Sequence, residues 1–363
     1  MAPKKEESCG RNIVGSPFRS RFESLGIDLP KSNLSTKELM GTLKHRVRLD
    51  LENITGISER RRCAPGEDTL TLAVGAAKDC LKHSRYSSDD LEMIINCSIS
   101  KSFGGSMVIE PLISMSIKKA IGAVKARTLD ITNACAGMFT GVYILNNFIK
   151  KGIVKKGMVV SGEHITPISD SAVRFVRTIA SKQMASLTVG DAGAAVIMER
   201  VEDGSDGLTL AGFTTFSKYS DLCIGKPCKR APGAYMVAEA RKIHRAAKDV
   251  SPTILSKVLT DMNVTLGDFD HLIPHQTSER SIMSTVRQMS KLFGSSPKNT
   301  IINLKNYGNT ASTTHFLALY KNIVEGVIKK GDRMMMVSHA SGLVMAILMF
   351  AVDLRVESYV SED

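Results

Sequence analysis

Thr128-Leu129-Asp130-Ile131-Thr132-Asn133-Ala134-Cys135-Ala136-Gly137-Met138 changes character within a few residues. Thr128 to Thr132 reads as a strand, and Met138 to Lys150 as an apolar-faced helix stopped by Gly152. Between them Asn133-Ala134-Cys135-Ala136-Gly137 offers only small neighbours around one thiol. Such a strand-to-helix turn can push a side chain outward, as a nucleophile elbow does. The helix N-terminus at that point favours thiolate over thiol. A structural cysteine buried between small packing residues fits the segment equally well.

Working outward, strand and helix patterns alternate along the chain, which predicts α/β layers. Leu70 to His83 is an amphipathic helix and Leu91 to Ser98 a buried strand; Met158 to Ser161 and Ala194 to Met198 continue the strands. The second half repeats the order. A strand at Leu272 and Ile273 is followed by a helix over 279–293, a strand from Thr300 to Leu304 and a helix from about Thr313 to Ile328. Strands from Arg333 to Ser338 and from Leu343 to Ala351 close the chain. Cys135 lies 22 residues before Gly157 of a Lys-Lys-Gly, and Asn309 lies 22 before Gly331 of another. We read an internal duplication of about 150 residues. It divides the chain into a charged tip over 1–12, a first half over 13–205 carrying the cysteine, and a second half over 206–363. The join falls at the turn-rich Asp203-Gly204-Ser205-Asp206-Gly207.

The duplication links two further features to Cys135. His275, in Leu272-Ile273-Pro274-His275-Gln276, stands where α/β enzymes place functional groups, at the end of an apolar strand. Asn309, in Asn306-Tyr307-Gly308-Asn309-Thr310, occupies in the second half the place of Cys135 in the first. Taken alone, the histidine reads as a core residue and the Asn-Gly segment as a tight turn.

Composition narrows the setting. Of 363 residues, 43% are hydrophobic and 23% charged, a globular balance. The longest wholly apolar run, Leu343 to Val352, is too short to cross a bilayer, and the N-terminus has no apolar core of a secretory signal. A cytoplasmic protein with reduced thiols is expected. The seven cysteines form no framework, and Cys223 and Cys228 lack a second pair at metal spacing, so neither disulfides nor a metal is expected. The net charge of +12 suits an anionic partner. Nucleic acid is not expected, because there is no Trp and the other aromatics do not interleave with the basic clusters.

Taken in order, these segments resemble the ketoacyl-synthase III group of thiolase-fold condensing enzymes. The match runs from Ile54-Thr55-Gly56-Ile57-Ser58-Glu59-Arg60-Arg61 through Asp130 to Gly137, Gly190-Asp191-Ala192-Gly193-Ala194, Pro274-His275-Gln276 and Tyr307-Gly308-Asn309-Thr310 to Ala340-Ser341-Gly342-Leu343. The resemblance implies a five-layered α-β-α-β-α fold of two duplicated halves, and a homodimer. It implies a Cys135, His275 and Asn309 triad, with Cys135 taking an acyl group and the N–H groups of Cys135 and Gly342 forming an oxyanion hole. No cofactor is implied beyond acyl-CoA or a phosphopantetheine-linked acyl carrier protein. Arg280, five residues after His275, matches the family's carrier-docking arginine, and Lys226, Lys229, Arg230, Arg241, Lys242 and Arg245 extend a basic rim.

Glu110 decides which member of the group the chain resembles. It stands 25 residues before Cys135 in Val108-Ile109-Glu110-Pro111, where decarboxylating members carry an apolar residue on a loop reaching into the partner subunit. A glutamate there resembles the olefin-pathway head-to-head thiolases and the stand-alone α-pyrone synthases, whose carboxylate removes an α-proton. A carboxylate in apolar surroundings has its pKa raised towards that of a general base. The expected reaction is a non-decarboxylative Claisen condensation of two acyl thioesters, giving a β-keto product or an α-pyrone. Decarboxylative use of malonyl-carrier protein is the alternative, and a non-catalytic acyl-binding subunit a second. Two departures bear on the donor. The family's adenine-gripping Trp is absent and its Arg is Ile54, while the closing turn reads Ala340-Ser341-Gly342 rather than three glycines.

Overall fold

The computed structural model describes residues 18–104, 106–201, 207–229 and 233–359. The charged tip, the boundary at 205/206 and Arg230 lie outside them.

The first half contributes β1 (Arg19–Asp28), α1 (Thr69–His83), β2 (Met93–Asn96), α2 (Ile113–Ile121), β3 (Arg127–Asp130), α3 (Gly137–Lys150), β4 (Lys156–Glu163) and β5 (Ala192–Val201). The second contributes β6 (Leu208–Thr215), α4 (Ala240–Met262), β7 (His271–Pro274), α5 (Glu279–Phe293), β8 (Asn299–Thr300), α6 (Thr314–Val324), β9 (Arg333–Ala340) and β10 (Val344–Ala351). The two five-stranded sheets run β1-β5-β4-β2-β3 and β6-β10-β9-β7-β8. Adding five to each strand of the first sheet gives the second. The senses repeat as well. β2 pairs parallel with β3 and β4, and β7 parallel with β8 and β9. β5 pairs antiparallel with β1 and β4, and β10 antiparallel with β6 and β9. This is the thiolase-like architecture, doubled.

Five layers follow from which faces are apolar. β4 and β10 are buried nearly end to end, as expected of strands covered on both sides. Between the sheets lie α3 and α6, where Phe139, Val142 and Leu145 join Phe316, Leu319 and Ile323 in one core shared with both sheets. α1 covers the outer face of the first sheet through Ala73, Ala76 and Ala77. Its start is fixed by a capping box in which Asp68 accepts from the Thr71 N–H and Thr71 Oγ1 accepts from the Asp68 N–H. α4 and α5 cover the outer face of the second sheet through Leu255, Val258, Leu259 and Met289.

Several segments depart from expectation, among them β1, α2 and β6, which the sequence reading leaves unassigned. Residues 300–304 do not form a full strand: β8 ends at Thr300, and Leu304–Tyr307 turn into a short helix. The sequence analysis also assigns no helix to 240–262, because Pro252 lies inside it and the breaker hides the pattern. Packing of Val250, Leu255 and Leu259 carries the helix through.

Candidate active site

Cys135 sits in the β3–α3 connection, His275 follows β7 directly, and Asn309 lies between β8 and α6. All three follow the carboxyl ends of strands that run parallel within their sheets. Ligands of open α/β sheets bind at such ends.

Around Cys135 the chain makes a tight turn. The Ala136 N–H donates to Asn133 O at 3.1 Å and the Gly137 N–H to Ala134 O at 2.9 Å. Ala134 takes φ +46, a left-handed conformation that costs a non-glycine residue about 1–2 kcal/mol. This is the elbow that the small residues predict, with the strain one residue before the thiol. Ser338 of β9 donates to Cys135 O at 3.3 Å, tying the turn to the second half.

The electrostatics correct one expectation. Cys135 is half-buried, and desolvation, with smaller contributions from Cys223 and Glu163, pushes its thiol up to about 12. α3 begins at Gly137, two residues on, and the backbone N–H that eases ionisation of the thiol is that of Cys135 itself, too little to offset burial. The resting group is a neutral thiol, not the thiolate that a helix N-terminus favours.

His275 is neutral too. Burial, with the neighbouring His315 and His339, holds its pKa well below the ordinary histidine range. Its ring stacks on His315 with centroids 5.5 Å apart, and the His315 ring meets the edge of Phe139, one turn after Cys135, at 4.7 Å. His275 Nδ1 and His315 Nδ1 are buried without a hydrogen-bond partner. His315 Nε2 lies 3.1 Å from Val337 O and His339 Nε2 lies 2.8 Å from Ser251 Oγ. The sequence analysis assigns His315 and His339 no role. Nothing local could, since His315 stacks on a ring and His339 meets a hydroxyl, each from a segment dozens of residues away.

Asn309 is held by its backbone. Its N–H donates to Thr188 O at 2.9 Å, and its carbonyl accepts from the Gly190 N–H at 3.0 Å. Gly308 makes this approach possible: it has φ +64, and a Cβ there would stand 2.7 Å from Thr188 O. Asn309 Oδ1 accepts from the Ala311 N–H at 2.9 Å and from Thr314 Oγ1 at 3.4 Å. The amide is thereby oriented with its Nδ2 hydrogens left to donate to a ligand. A buried acid, Glu163, ends β4 and accepts from the N–H groups of Ile99 and Ser100 and from Ser312 Oγ of the second half. Burial raises its pKa. Nothing in its own stretch of sequence marks it, because these partners come from two distant segments.

The closing turn lies at the β9–β10 hairpin. Gly342 has φ +126, where an L side chain is strained whatever space surrounds it. Gly342→Ala is therefore expected to cost about 1–3 kcal/mol, read as a lower denaturant midpoint.

The loop bearing Glu110 is anchored where it enters α2. Asp130, at the end of β3, accepts from the N–H groups of Ile113 and Ser114 at 3.1 and 3.0 Å, which fixes the start of α2. Glu110 itself is exposed in the single chain, with Ile109 at 83%, Met107 at 70% and Phe103 at 52% exposure beside it.

Of the docking candidates, Lys226, Lys229, Arg241, Lys242, Arg245 and Arg280 are all exposed. Arg241 to Arg245 open α4, whose Ala246 and Val250 pack on Leu343 next to Gly342. Arg280 opens α5, which Lys248 of α4 reaches through Ser284 at 3.1 Å. Ile54, in place of the family's arginine, is 42% exposed.

Three buried histidines make stability sensitive to acid. Burial depresses His275 well below the ordinary value, His315 to about 3 and His339 to about 4. The unfolded chain then binds protons near pH 6.5 that the folded chain refuses, so each costs about 1.4 kcal/mol per pH unit as pH falls below that value. His315→Asn is expected to flatten the fall in urea midpoint between pH 6 and pH 4.5 by about one such increment. An unchanged slope would refute the assignment.

The chain matches known families at both ends of this site. Residues 129–215 match 3-Oxoacyl-[acyl-carrier-protein (ACP)] synthase III, and residues 259–352 match the C-terminal part of the same enzyme family. The β-ketoacyl-[acyl-carrier-protein] synthase III of Clostridium tetani is 28% identical over 341 residues, covering 90% of this chain and 96% of that one. The Bacillus cereus synthase III 1 is 28% identical over 292 residues, covering 80% and 85%. Among solved structures, OleA of Xanthomonas campestris with bound lauric acid and lauroyl-CoA superposes with a TM-score of 0.80 at 20% identity, covering 92% of this chain and 99% of that one. The 3-oxoacyl-[acyl-carrier-protein] synthase III of Aquifex aeolicus gives 0.77 at 22% identity, covering 92% and 99%. Among the described residues no helix is long and apolar enough to cross a membrane.

Proposed function

Because this chain belongs to the 3-oxoacyl-[acyl-carrier-protein] synthase III group of thiolase-fold condensing enzymes, which are acyltransferases, we propose that it joins two acyl thioesters without decarboxylation, with Glu110 as the base. Cys135 attacks the first thioester and His275, neutral and adjacent to the second half's hydrogen-bonding groups, takes the thiol proton. The thiol of CoA or of a carrier protein leaves with that proton. The N–H groups of Cys135 and Gly342 stabilise the tetrahedral oxyanion, and losing one such donor costs about 3 kcal/mol of barrier. The second thioester places its carbonyl against His275 and the Asn309 amide, Glu110 removes its α-proton, and the carbanion attacks the Cys135 thioester. The thiolate departs and a β-keto thioester results, free to be released or hydrolysed; where the acyl group on Cys135 itself carries a β-keto group, the δ-enol oxygen of the product attacks its thioester, expels the thiol and closes an α-pyrone.

The observation that carries the reading is the setting of Glu110. It is one carboxylate on a loop otherwise lined by exposed Phe103, Met107 and Ile109. Such a loop asks to be covered, and a second copy in a homodimer would bring the carboxylate into an apolar site, where desolvation makes it a useful base. The basic openings of α4 and α5 supply a rim for the pantetheine phosphate or for an acidic carrier.

A second reading has its own support: the relatives that match over most of the chain are named β-ketoacyl-carrier-protein synthases. In it a malonyl-carrier protein is decarboxylated and Glu110 is a bystander. Incubation with acyl-CoA alone, and then with malonyl thioester, separates the two. Condensed product without carbon dioxide supports the first reading; product only with malonyl thioester, and with carbon dioxide, replaces it by the second.

A further inference from the structure

Cys63, His164 and Asp191, none of them among the three residues of the candidate active site, meet at one point. One sulfur, one ring nitrogen and one carboxylate oxygen lie within 4.8 Å of one another. Each residue sits at the end of a strand. Cys63 follows the short strand Glu59–Arg62, His164 follows β4 and Asp191 precedes β5. The cluster is therefore built by the fold, and the cysteine spacing that argued against a metal could not reveal it.

Asp191 is wholly buried and its partners, the Cys63 thiol among them, are all neutral donors. Oδ1 accepts the N–H groups of Ile165 at 2.7 Å and Thr166 at 2.9 Å. Oδ2 accepts the Cys63 N–H at 2.9 Å and the Thr166 hydroxyl at 2.7 Å. Those bonds pin the 63 and 164–166 segments to one carboxylate, so the donors are held in place before any ion arrives. Cys63 and His164 are half-buried, which leaves a way in.

We propose that these three side chains bind a thiophilic divalent cation, zinc foremost, with a water as fourth ligand. A mixed sulfur, nitrogen and oxygen set suits zinc, whereas magnesium and calcium prefer oxygen alone. On binding, the Cys63 S–H proton is released to solvent and the sulfur–metal bond takes its place. Loss of the Cys63 proton releases the thiol's hydrogen bond to Asp191, and rotation of the Thr166 hydroxyl away from Oδ2 frees a carboxylate lone pair for the ion. The ion would brace the segment leading into Gly190, whose N–H holds the Asn309 carbonyl. This inference is independent of which thioesters the enzyme joins.

The test uses the full chain carrying Cys135→Ala, so that the other thiol near a histidine does not compete. After chelator treatment, zinc is titrated against a chromophoric chelator, and cobalt(II) is followed for thiolate-to-metal charge transfer. One equivalent per chain is expected, together with a cobalt–thiolate band. Cys63→Ser should abolish the band, and His164→Gln should weaken zinc affinity at least about tenfold. Asp191 is left intact, since its bonds hold two loops together, and the melting temperature of each variant in chelator confirms its fold. Zinc binding unaltered in both variants, or no cobalt–thiolate band in the parent, overturns the site.

Discussion

Cys135→Ala is expected to remove the covalent acyl adduct and to lower acyl transfer by at least about 10⁴-fold, the scale on which a nucleophile and its partners fail as a unit. The loss should be this large because Cys135 alone among the described thiols sits in the tight turn at the head of α3, although the half-buried Cys223 lies close enough to raise its pKa. Cys80 and Cys97 are fully buried, and Cys63 is turned towards Asp191. Intact-protein mass spectrometry after incubation with acyl-CoA reads the result directly: a mass increase in the parent and none in the variant. An adduct that persists in Cys135→Ala would move the chemistry to another residue. The neutral state of the thiol adds a second expectation. Alkylation by iodoacetamide should be slow in the free enzyme, because the thiolate and not the thiol is the nucleophile. It should be slowed further by an acyl thioester that occupies the sulfur.

Glu110→Gln should part the two half-reactions. Acylation of Cys135 needs no base at 110, so the adduct should form at an unchanged rate. Condensation needs the α-proton removed, and a positioned base is worth about 10²- to 10⁴-fold, so product formation should fall by that factor. Glutamine keeps the length and polarity of the side chain, which limits damage to the loop anchored by Asp130. Parent-like condensation in the variant would remove the base and leave the decarboxylative reading. Mixing Glu110→Gln with Cys135→Ala adds a test of the dimer. If the carboxylate serves the partner's cysteine, mixed dimers recover one working site, whereas two separate monomers recover none.

Much of this arrangement was legible in the linear chain. The tight turn at Cys135 needs only small neighbours and a change of period from strand to helix, both local. The halves could be paired because equal spacings from Cys135 and Asn309 to two Lys-Lys-Gly triplets survive in the residues, and the sheets repeat the same order and sense. The long helix over 240–262 was hidden because Pro252 is a local breaker that tertiary packing overrides. The thiolate expected from a helix N-terminus was displaced by a neutral thiol, since burial is a property of the surroundings and not of the segment.

By itself, then, the order of residues determined the layered α/β class, its duplication and the identities of Cys135, His275 and Asn309 as candidates. These depend on periodicity and short-range turn chemistry, which act between near neighbours. Only the tertiary structure decided that His315 stacks on His275, that Glu163 reaches Ser312, and that Cys63, His164 and Asp191 converge. Desolvation and ligand geometry depend on side chains brought together from segments up to about 150 residues apart, and the chain acquires those neighbours only when its two halves pack.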